Sequence, residues 1–542
     1  MAKAENPYIR RDGDQIVITE DGKIFLDSVI TNTESNVYAF KSEANPLLAA
    51  AAMARLSRRG SDLREIYLDE FAISGTESAD ALIDRVVVGY GDDSVSQLIN
   101  VALVVEGASN LLTKKLERGR LRNYLEQSTR YIFFDKRDAN GNYPYYVPNL
   151  PESLLLEYRK DIDAIFNLYS HMVRNLTDYL RKKIKEPENK IERSAWLAAT
   201  KAQACDAVRP VLPVATKSTV GIVGSAQSIE EMILFLLSEP LNECQDTGKK
   251  VLLESRKVVG SFLKRADMPD RGLAKVLYRT ETMGALKEIA GLYIIGDGFS
   301  DVSYPAVTLL KYGPEDELSL APRMFFEGIG RTVAPITLRE LERQSNIWPR
   351  DFKEQIFHTY IGNRLNRRHK PGRALEAATY EWEIIGDYGT FRDLQRHRLV
   401  SAFEWPNLTT MYGYEVPELI VEAGLESQFR KCFEISESLF NKFLALGLAE
   451  EAQYVTLLGH KLPYTFIENA REAFHIHELR TGPQGHPGYR KIVQEMHNVL
   501  CKVHPRLGSA MKFVNMGEDP ELARLAAERV NQSKLAALGL IG

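Results

Sequence analysis

One stretch of this chain occurs twice, and that repeat constrains the fold more than any other feature. The run Ala378-Thr379-Tyr380-Glu381-Trp382-Glu383-Ile384-Ile385 leads through Gly386 and Gly389 to Gln395-Arg396-His397-Arg398, and on to LVSAFEWPNLTTMYGYEVP. Earlier, the apolar run Asn100 to Val105 leads through Glu106-Gly107 and a helix-like segment to Arg118-Gly119-Arg120, and on to LRNYLEQSTRYIFF. Aligned on the Arg-x-Arg tripeptide, Glu126 falls opposite Glu404 and Tyr131 falls near the start of TTMYGY. Each copy has an upstream polar partner, Gln97 in the first and Glu376 in the second. Self-similarity of this length predicts a duplicated architecture. At 542 residues the chain also exceeds one ordinary core. Two homologous domains are expected, 1–300 and 301–542, each an α/β (α+β) sheet flanked by helices.

Local patterns place the motifs. Tyr380, Trp382 and Ile384 alternate with Thr379, Glu381 and Glu383, the period of a half-buried strand. Gly386 and Gly389 are expected to break it, with a short helix from about Phe391. Arg392 and Arg396 are four apart and share a helical face, whereas Arg396 and Arg398 do not. The tripeptide therefore either marks a helix end or reaches two ligands from one place; guanidinium groups around an imidazole suit phosphates or an electron-rich ring. Glu126, Ser128 and Arg130 are two apart in succession, so an extended segment would point all three to one side. An acceptor, a hydroxyl and a guanidinium in a row suit a nucleotide monophosphate, or equally a polar edge strand.

Residues 1–36 suggest a strand or hairpin with a turn at Asp21-Gly22. Helices are expected over 46–73, 151–188, 191–208, 227–266, 337–366, 417–447 and 463–480, with a strand over 306–310. Residues 267–300 read as a linker, 516–542 as an amphipathic tail helix. The basic turn Asn366 to Arg373 faces either a phosphate or solvent.

With these residues in view, the chain resembles the flavin-dependent thymidylate synthases, the ThyX family. That family's motif runs Arg-His-Arg, Ser three residues on, then Glu-x-Ser-x-Arg-Tyr. The first copy ends Glu126-Gln127-Ser128-Thr129-Arg130-Tyr131 but has Gly119 in place of His. The second keeps Arg396-His397-Arg398 and Ser401 but continues Glu404-Trp405-Pro406-Asn407-Leu408, without the later Ser and Arg. Other segments split the same way. Met53-Ala54-Arg55-Leu56-Ser57 and Ala207-Val208-Arg209-Pro210-Val211-Leu212-Pro213 resemble family segments in the first half, where the second has Phe325 and Gln453. Asn469-Ala470-Arg471 and Arg480 resemble the flavin site and the pyrimidine-activating Arg in the second half, where the first has Ser225-Ala226-Gln227.

The resemblance implies reductive methylation of dUMP to dTMP with FAD as cofactor, and NADPH and methylenetetrahydrofolate as co-substrates. It implies Arg480 as the catalytic residue and Arg396, His397, Arg398, Glu404, Glu376, Asn469, Arg471 and Ser57 as flavin ligands. Glu126, Ser128, Thr129, Arg130, Tyr131, Arg209 and Arg480 would hold the nucleotide. The first half would be the nucleotide-phosphate side, the second the flavin side, and two chains would pair as a homodimer forming a pseudo-tetramer. A related flavoenzyme acting on another pyrimidine nucleotide, and a non-catalytic flavin- or nucleotide-binding protein, are the alternatives.

Composition narrows the class. A charge of -4 gives no general basic footprint for nucleic acid. No apolar run approaches membrane-spanning length and the start is polar, so a cytoplasmic protein is expected. Cys205, Cys244, Cys432 and Cys501 stand far apart, which fits free thiols rather than a disulfide frame. Nine of the ten histidines follow residue 350. His475, His477 and His486 lack zinc-site spacing, and no metal is expected.

Overall fold

A computed structural model describes residues 6–13, 15–56, 58–89, 92–293, 305–329, 335–518, 522 and 525–539. They form two compact units that interleave along the chain: Met1–Glu106, Leu121–Glu126 and Thr219–Gly296 in one, Gly107–Arg120, Gln127–Ser218 and Asp297–Gly542 in the other.

The first unit opens with a hairpin of β1 (Ile9–Asp12) and β2 (Gln15–Ile18). Asp21-Gly22 is not a turn. Thr19 caps the helix Glu20–Val29 by accepting from the Gly22 N–H at 3.1 Å, and Glu20 and Asp21 fill its acidic first turn. The expected helix over 46–73 is two helices, Pro46–Arg55 and Leu63–Glu70, the second begun by Asp62 as cap. A three-stranded sheet follows, built from β3 (Asn100–Ser109), β4 (Arg122–Glu126) and β5 (Lys217–Ser225) in the order β3-β5-β4. The Glu106-Gly107 step does not end β3; Gly107 takes φ +67° and the strand runs on. Helix Ala226–Ser238 follows β5. Within the expected linker, Gly272–Tyr293 is a helix; residues 294–300 lie outside the described residues.

The second unit holds a four-stranded antiparallel sheet of β6 (Val307–Gly313), β7 (Thr379–Asp387), β8 (Ser401–Glu404) and β9 (Lys461–Asn469), in the order β6-β7-β9-β8. Tyr380 lies opposite Glu468, Trp382 opposite Phe466 and Ile384 opposite Tyr464. Gly386 does not break β7, which continues to Asp387. Residues 463–480 are not one helix: β9 runs to Asn469 and the helix Ala470–Arg480 follows. Leu462, Tyr464, Phe466 and Glu468 alternate inward along β9. Phe403 stacks on Phe466 with ring centres 5.3 Å apart. The 32-residue helix Glu152–Lys183 packs against the helices Lys190–Val208 and Glu426–Ala445. Its buried stripe of Tyr158, Ile162, Ile165, Tyr169, Met172, Val173, Leu176 and Leu180 follows helical spacing. Each large side chain so buried contributes about 1.5–3 kcal/mol.

The two sheets repeat one plan. β7-β9-β8 has the neighbour order of β3-β5-β4. Helices Asn110–Leu116 and Tyr388–Leu394 follow the first strand of each, Ala226–Ser238 and Ala470–Arg480 the central strand. The caps correspond too. Ser109 accepts from Leu112 N–H at 3.0 Å as Asp387 does from Thr390 N–H at 2.8 Å. Ser225 accepts from Ser228 N–H at 3.3 Å as Asn469 does from Glu472 N–H at 2.9 Å. Within the second unit, corresponding segments of the two halves pair with each other. Pro213 bridges Leu457, Val214 N–H donates to the Thr456 carbonyl at 2.7 Å, and Gly459 N–H donates to the Pro210 carbonyl at 2.8 Å. A segment meeting its own counterpart is the signature of a twofold-like contact.

Candidate active site

The site grows from three chain ends in the second unit. The helix Lys190–Val208 stops where Pro210 removes a donor, leaving Asp206 and Arg209 at its end. The helix Tyr388–Leu394 stops just before Arg396-His397-Arg398. The helix Ala470–Arg480 ends on Arg480.

These ends converge on Asp393, which is 8% exposed. Arg396 donates to its Oδ1 at 2.8 Å and Arg209 to its Oδ2 at 3.5 Å. Arg480 donates to its backbone carbonyl. Burial alone would raise the Asp393 pKa, but Arg209, Arg396, Arg480 and Arg130 together hold it far below the usual carboxylate range. Arg130 is held by a buried two-point contact with Asp206, 2.6 Å from Nε to Oδ1 and 2.5 Å from Nη2 to Oδ2. Burial works against its charge; Asp206 more than compensates and raises its pKa. The Tyr489 ring lies under both Arg130 and Arg480, at 5.8 and 5.2 Å from the guanidinium carbons. Four guanidinium groups thus gather around Asp206 and Asp393, and Asp387 also faces Arg209.

Behind Asp393, Arg480 Nε donates to His397 Nε2 at 2.8 Å, and His397 Nδ1 lies 3.4 Å from Glu472 Oε1. Burial, then Arg480, pushes the His397 pKa well below its ordinary value. Burial lifts the Glu472 carboxyl to about 7. Burial also lowers the Arg480 pKa, against the pull of Asp393.

The histidines are not grouped as their sequence proximity suggests. His475 joins His397 and Glu472, whose ligand atoms all lie within 4.8 Å of one another. His477 pairs with Glu468 at 3.2 Å, and His486 with the Asp206 carbonyl at 3.2 Å. His397 already accepts from Arg480, and Lys370 and Arg480 help depress the His475 pKa to about 4 after burial. An electropositive setting of this kind disfavours a divalent cation.

The other expected residues fall in three places. Glu376 lies 3.6 Å from Arg471, whose Nε donates to the Pro371 carbonyl at 3.0 Å, while Asn469 serves as a helix cap. In the first unit the counterparts form a neutral pair, Gln97 donating to Gln227 at 2.8 Å. Glu404 is exposed and paired with Arg118 at 2.9 Å, beside the Trp405 ring. A cavity of about 200 Å³ there is lined by Arg118, Arg120, Arg398 and Trp405, so the two Arg-x-Arg motifs share one wall. Ser57 lies outside the described residues.

Glu126, Ser128 and Arg130 are not one extended row. Glu126 ends β4 in the first unit, and residues 129–131 form a turn in which Arg130 N–H donates to Ser128 Oγ at 3.2 Å. Thr129 is buried and Tyr131 is 47% exposed. Arg209 is buried, 3% exposed. A second cavity, about 750 Å³, reaches Asp206 and is lined also by Gln203, Pro210, Asp387 and His486.

Asp206, Asp393, Glu472 and Tyr489 were not singled out from sequence. The first two carry a signal that would have found them, since Asp206-x-x-Arg209 and Asp393-x-x-Arg396 repeat one acid–base spacing.

Fold and site together define a protein of two repeated α/β sheets, with an arginine cluster gathered from both halves of the sequence around a buried aspartate. Comparison with known proteins gives the family: the model of thymidylate synthase complementing protein (Thy1) matches residues 40–259 and 313–506, and the chain belongs to that family. A UPF0159 protein of Chlamydia muridarum is 31% identical over 93% of this chain and 96% of its own length. A flavin-dependent thymidylate synthase of Thermococcus kodakarensis is 33% identical over 14% of this chain and 31% of its own. A crystal structure of a UMP/dUMP methylase, PolB, from Streptomyces cacaoi covers 38% of this chain and 94% of its own at 16% identity, with a TM-score of 0.31. Among the described residues, no helix is long and apolar enough to cross a membrane.

Proposed function

We propose that this chain is a flavin-dependent thymidylate synthase that builds one composite site from two complementary half-sites. The observation that carries the reading is the convergence on Asp393 of Arg130 and Arg209 from the first half with Arg396 and Arg480 from the second. Each half has lost what the other keeps, and Arg130, Arg209, Arg396 and Arg480 belong to one compact unit. The halves 1–300 and 301–542 are in this reading a tandem duplication, supported by the repeated strand order and helix caps.

The division of labour follows from charge. Arg130 and Arg209 hold the phosphate of dUMP, with Ser128, Thr129 and Tyr131 at the sugar and phosphate margin. The guanidinium of Arg480, fixed by His397 and the Asp393 carbonyl, stabilises negative charge developing on the pyrimidine ring, which makes the ring carbon nucleophilic without an enzyme thiol. Consistent with that, burial raises the Cys205 and Cys432 thiols away from reactivity, Cys205 to about 12.

The family implies FAD, and the donor set fits it. Arg396, Arg398 and Arg471 offer partly or largely exposed guanidinium groups to an anionic pyrophosphate. His397, Asn469, Glu376 and Glu404 complete the proposed set. FAD, when bound, supplies the hydride, with NADPH as reductant and methylenetetrahydrofolate as carbon donor. Two chains pair as a homodimer with two sites, where four single-length subunits would make four.

The test is the visible absorbance of the purified chain before and after adding FAD, followed by NADPH with and without dUMP. A flavin spectrum that bleaches faster with dUMP, and dTMP formation with methylenetetrahydrofolate, are expected. A chain that takes up no FAD contradicts the reading.

A further inference from the structure

We infer that Glu472 is a positioning residue for Arg480, acting through His397 as a tautomer lock; this rests on the reading of Arg480 as the group that faces the pyrimidine. Glu472 and Arg480 lie on one helix, eight residues and so about 12 Å apart along its axis. They cannot pair directly. His397, arriving from the segment after Leu394, spans them: its Nε2 is 2.8 Å from Arg480 Nε and its Nδ1 is 3.4 Å from Glu472 Oε1.

The chemistry of the three groups fixes the proton. A guanidinium only donates, so the Nε2 that meets it must carry the lone pair. The imidazole proton therefore sits on Nδ1, which Glu472 Oε1 faces at 3.4 Å. Either protonation state of Glu472 leaves an oxygen lone pair to accept it. Without Glu472, the Nδ1 proton loses its acceptor and only the Arg480 contact opposes its move to Nε2, where an N–H would face the Arg480 N–H. Arg480 would then lose the contact that fixes its Nε and keep the Asp393 carbonyl and the Tyr489 ring. A guanidinium loosened at Nε can turn, and displacement near 1 Å is enough to cost about a hundredfold in rate.

The surroundings reinforce the lock. Arg480 and His475 from the same helix, Arg396 from the neighbouring segment and Lys370 from the basic turn all face His397 and oppose a second proton on the ring. Lys370, Arg471 and Glu468 face Glu472. The ring is thus kept neutral by burial and by the cations, and kept in one tautomer by Arg480 and the carboxyl together.

The experiment uses the full chain labelled with ¹⁵N-histidine, with the His397 signal assigned from His397→Gln. Long-range ¹H–¹⁵N correlation spectra report which ring nitrogen carries the proton. The Nδ1–H tautomer is expected in wild type and in Glu472→Gln, with a shift toward Nε2–H in Glu472→Leu. A wild-type Nε2–H tautomer overturns the inference by itself, whether or not the Leu variant folds. In turnover with dUMP, Glu472→Leu should lower kcat about tenfold to a hundredfold while the KM for dUMP stays within about twofold, and Glu472→Gln should restore kcat. An unchanged kcat in Glu472→Leu alongside a shifted tautomer overturns the positioning role. A wild-type chain with the Nδ1–H tautomer but no dUMP turnover contradicts the function proposed above and leaves the lock standing.

Discussion

Replacing Asp393 by Asn tests the arginine cluster directly. Asparagine keeps the shape and removes the charge around which Arg130, Arg209, Arg396 and Arg480 are gathered. Asp393 is 8% and Arg209 3% exposed, so water cannot take over the lost attraction. Breaking a buried charge pair by removing one partner costs about 3–5 kcal/mol, because the remaining charge stays buried. The pH dependence follows from the sign of the shift. Asp393 is held below its unfolded pKa, so its contribution is present above about pH 4 and is lost only as pH falls toward the folded value. The penalty of Asp393→Asn should therefore be flat from pH 5 to 9. All four tryptophans, Trp196, Trp348, Trp382 and Trp405, lie in the second unit, so their fluorescence in urea reports the unit that holds the cluster. A penalty below about 1 kcal/mol, or one that vanishes at neutral pH, would refute the reasoning.

Three further perturbations follow from the same geometry. Arg130→Met and Asp206→Leu should each cost about 3–5 kcal/mol by urea unfolding, and the double variant should cost less than their sum, because neither charge is then left unpaired. Glu472 has its folded pKa raised to about 7, so its contribution is present in acid and is lost as pH rises from about 4.5 through 7. Glu472→Gln should accordingly gain about 3 kcal/mol relative to wild type between pH 5 and 8, read from paired denaturation curves. Gly459→Ala should cost about 1–3 kcal/mol in the same assay. A Cβ there would sit 2.7 Å from Pro210 Cβ and 2.8 Å from Phe433 Cζ, at the seam where counterpart segments meet.

Elements with one dominant local signal were legible in the sequence. The alternation of Tyr380, Trp382 and Ile384 located β7, and the helix Glu152–Lys183 carries a long apolar stripe. β9 was misread because Pro463 mimics a helix start. It is tolerated in the strand because β8 meets β9 at Ile467 and Thr465, and Pro463 lies beyond that pairing. The helix after Thr19 was missed because Asp21-Gly22 reads as a turn, although the cap and acidic first turn were present. At the site, the retained arginines were recognisable as types in a motif. Their carboxylate partners were harder to see, since Arg130–Asp206 and Arg209–Asp393 join residues far apart in sequence. Nothing local in Arg209 distinguishes a buried cation from an exposed one.

In the proposed function each chain makes one site from two incomplete halves. Equilibrium dialysis of dUMP against the FAD-supplemented chain measures it most directly, with Arg130→Met and Arg480→Met alongside wild type. One nucleotide per chain is predicted, with binding weakened at least tenfold by Arg130→Met from one half and turnover abolished by Arg480→Met from the other. Two nucleotides per chain, or binding indifferent to Arg130, would contradict it.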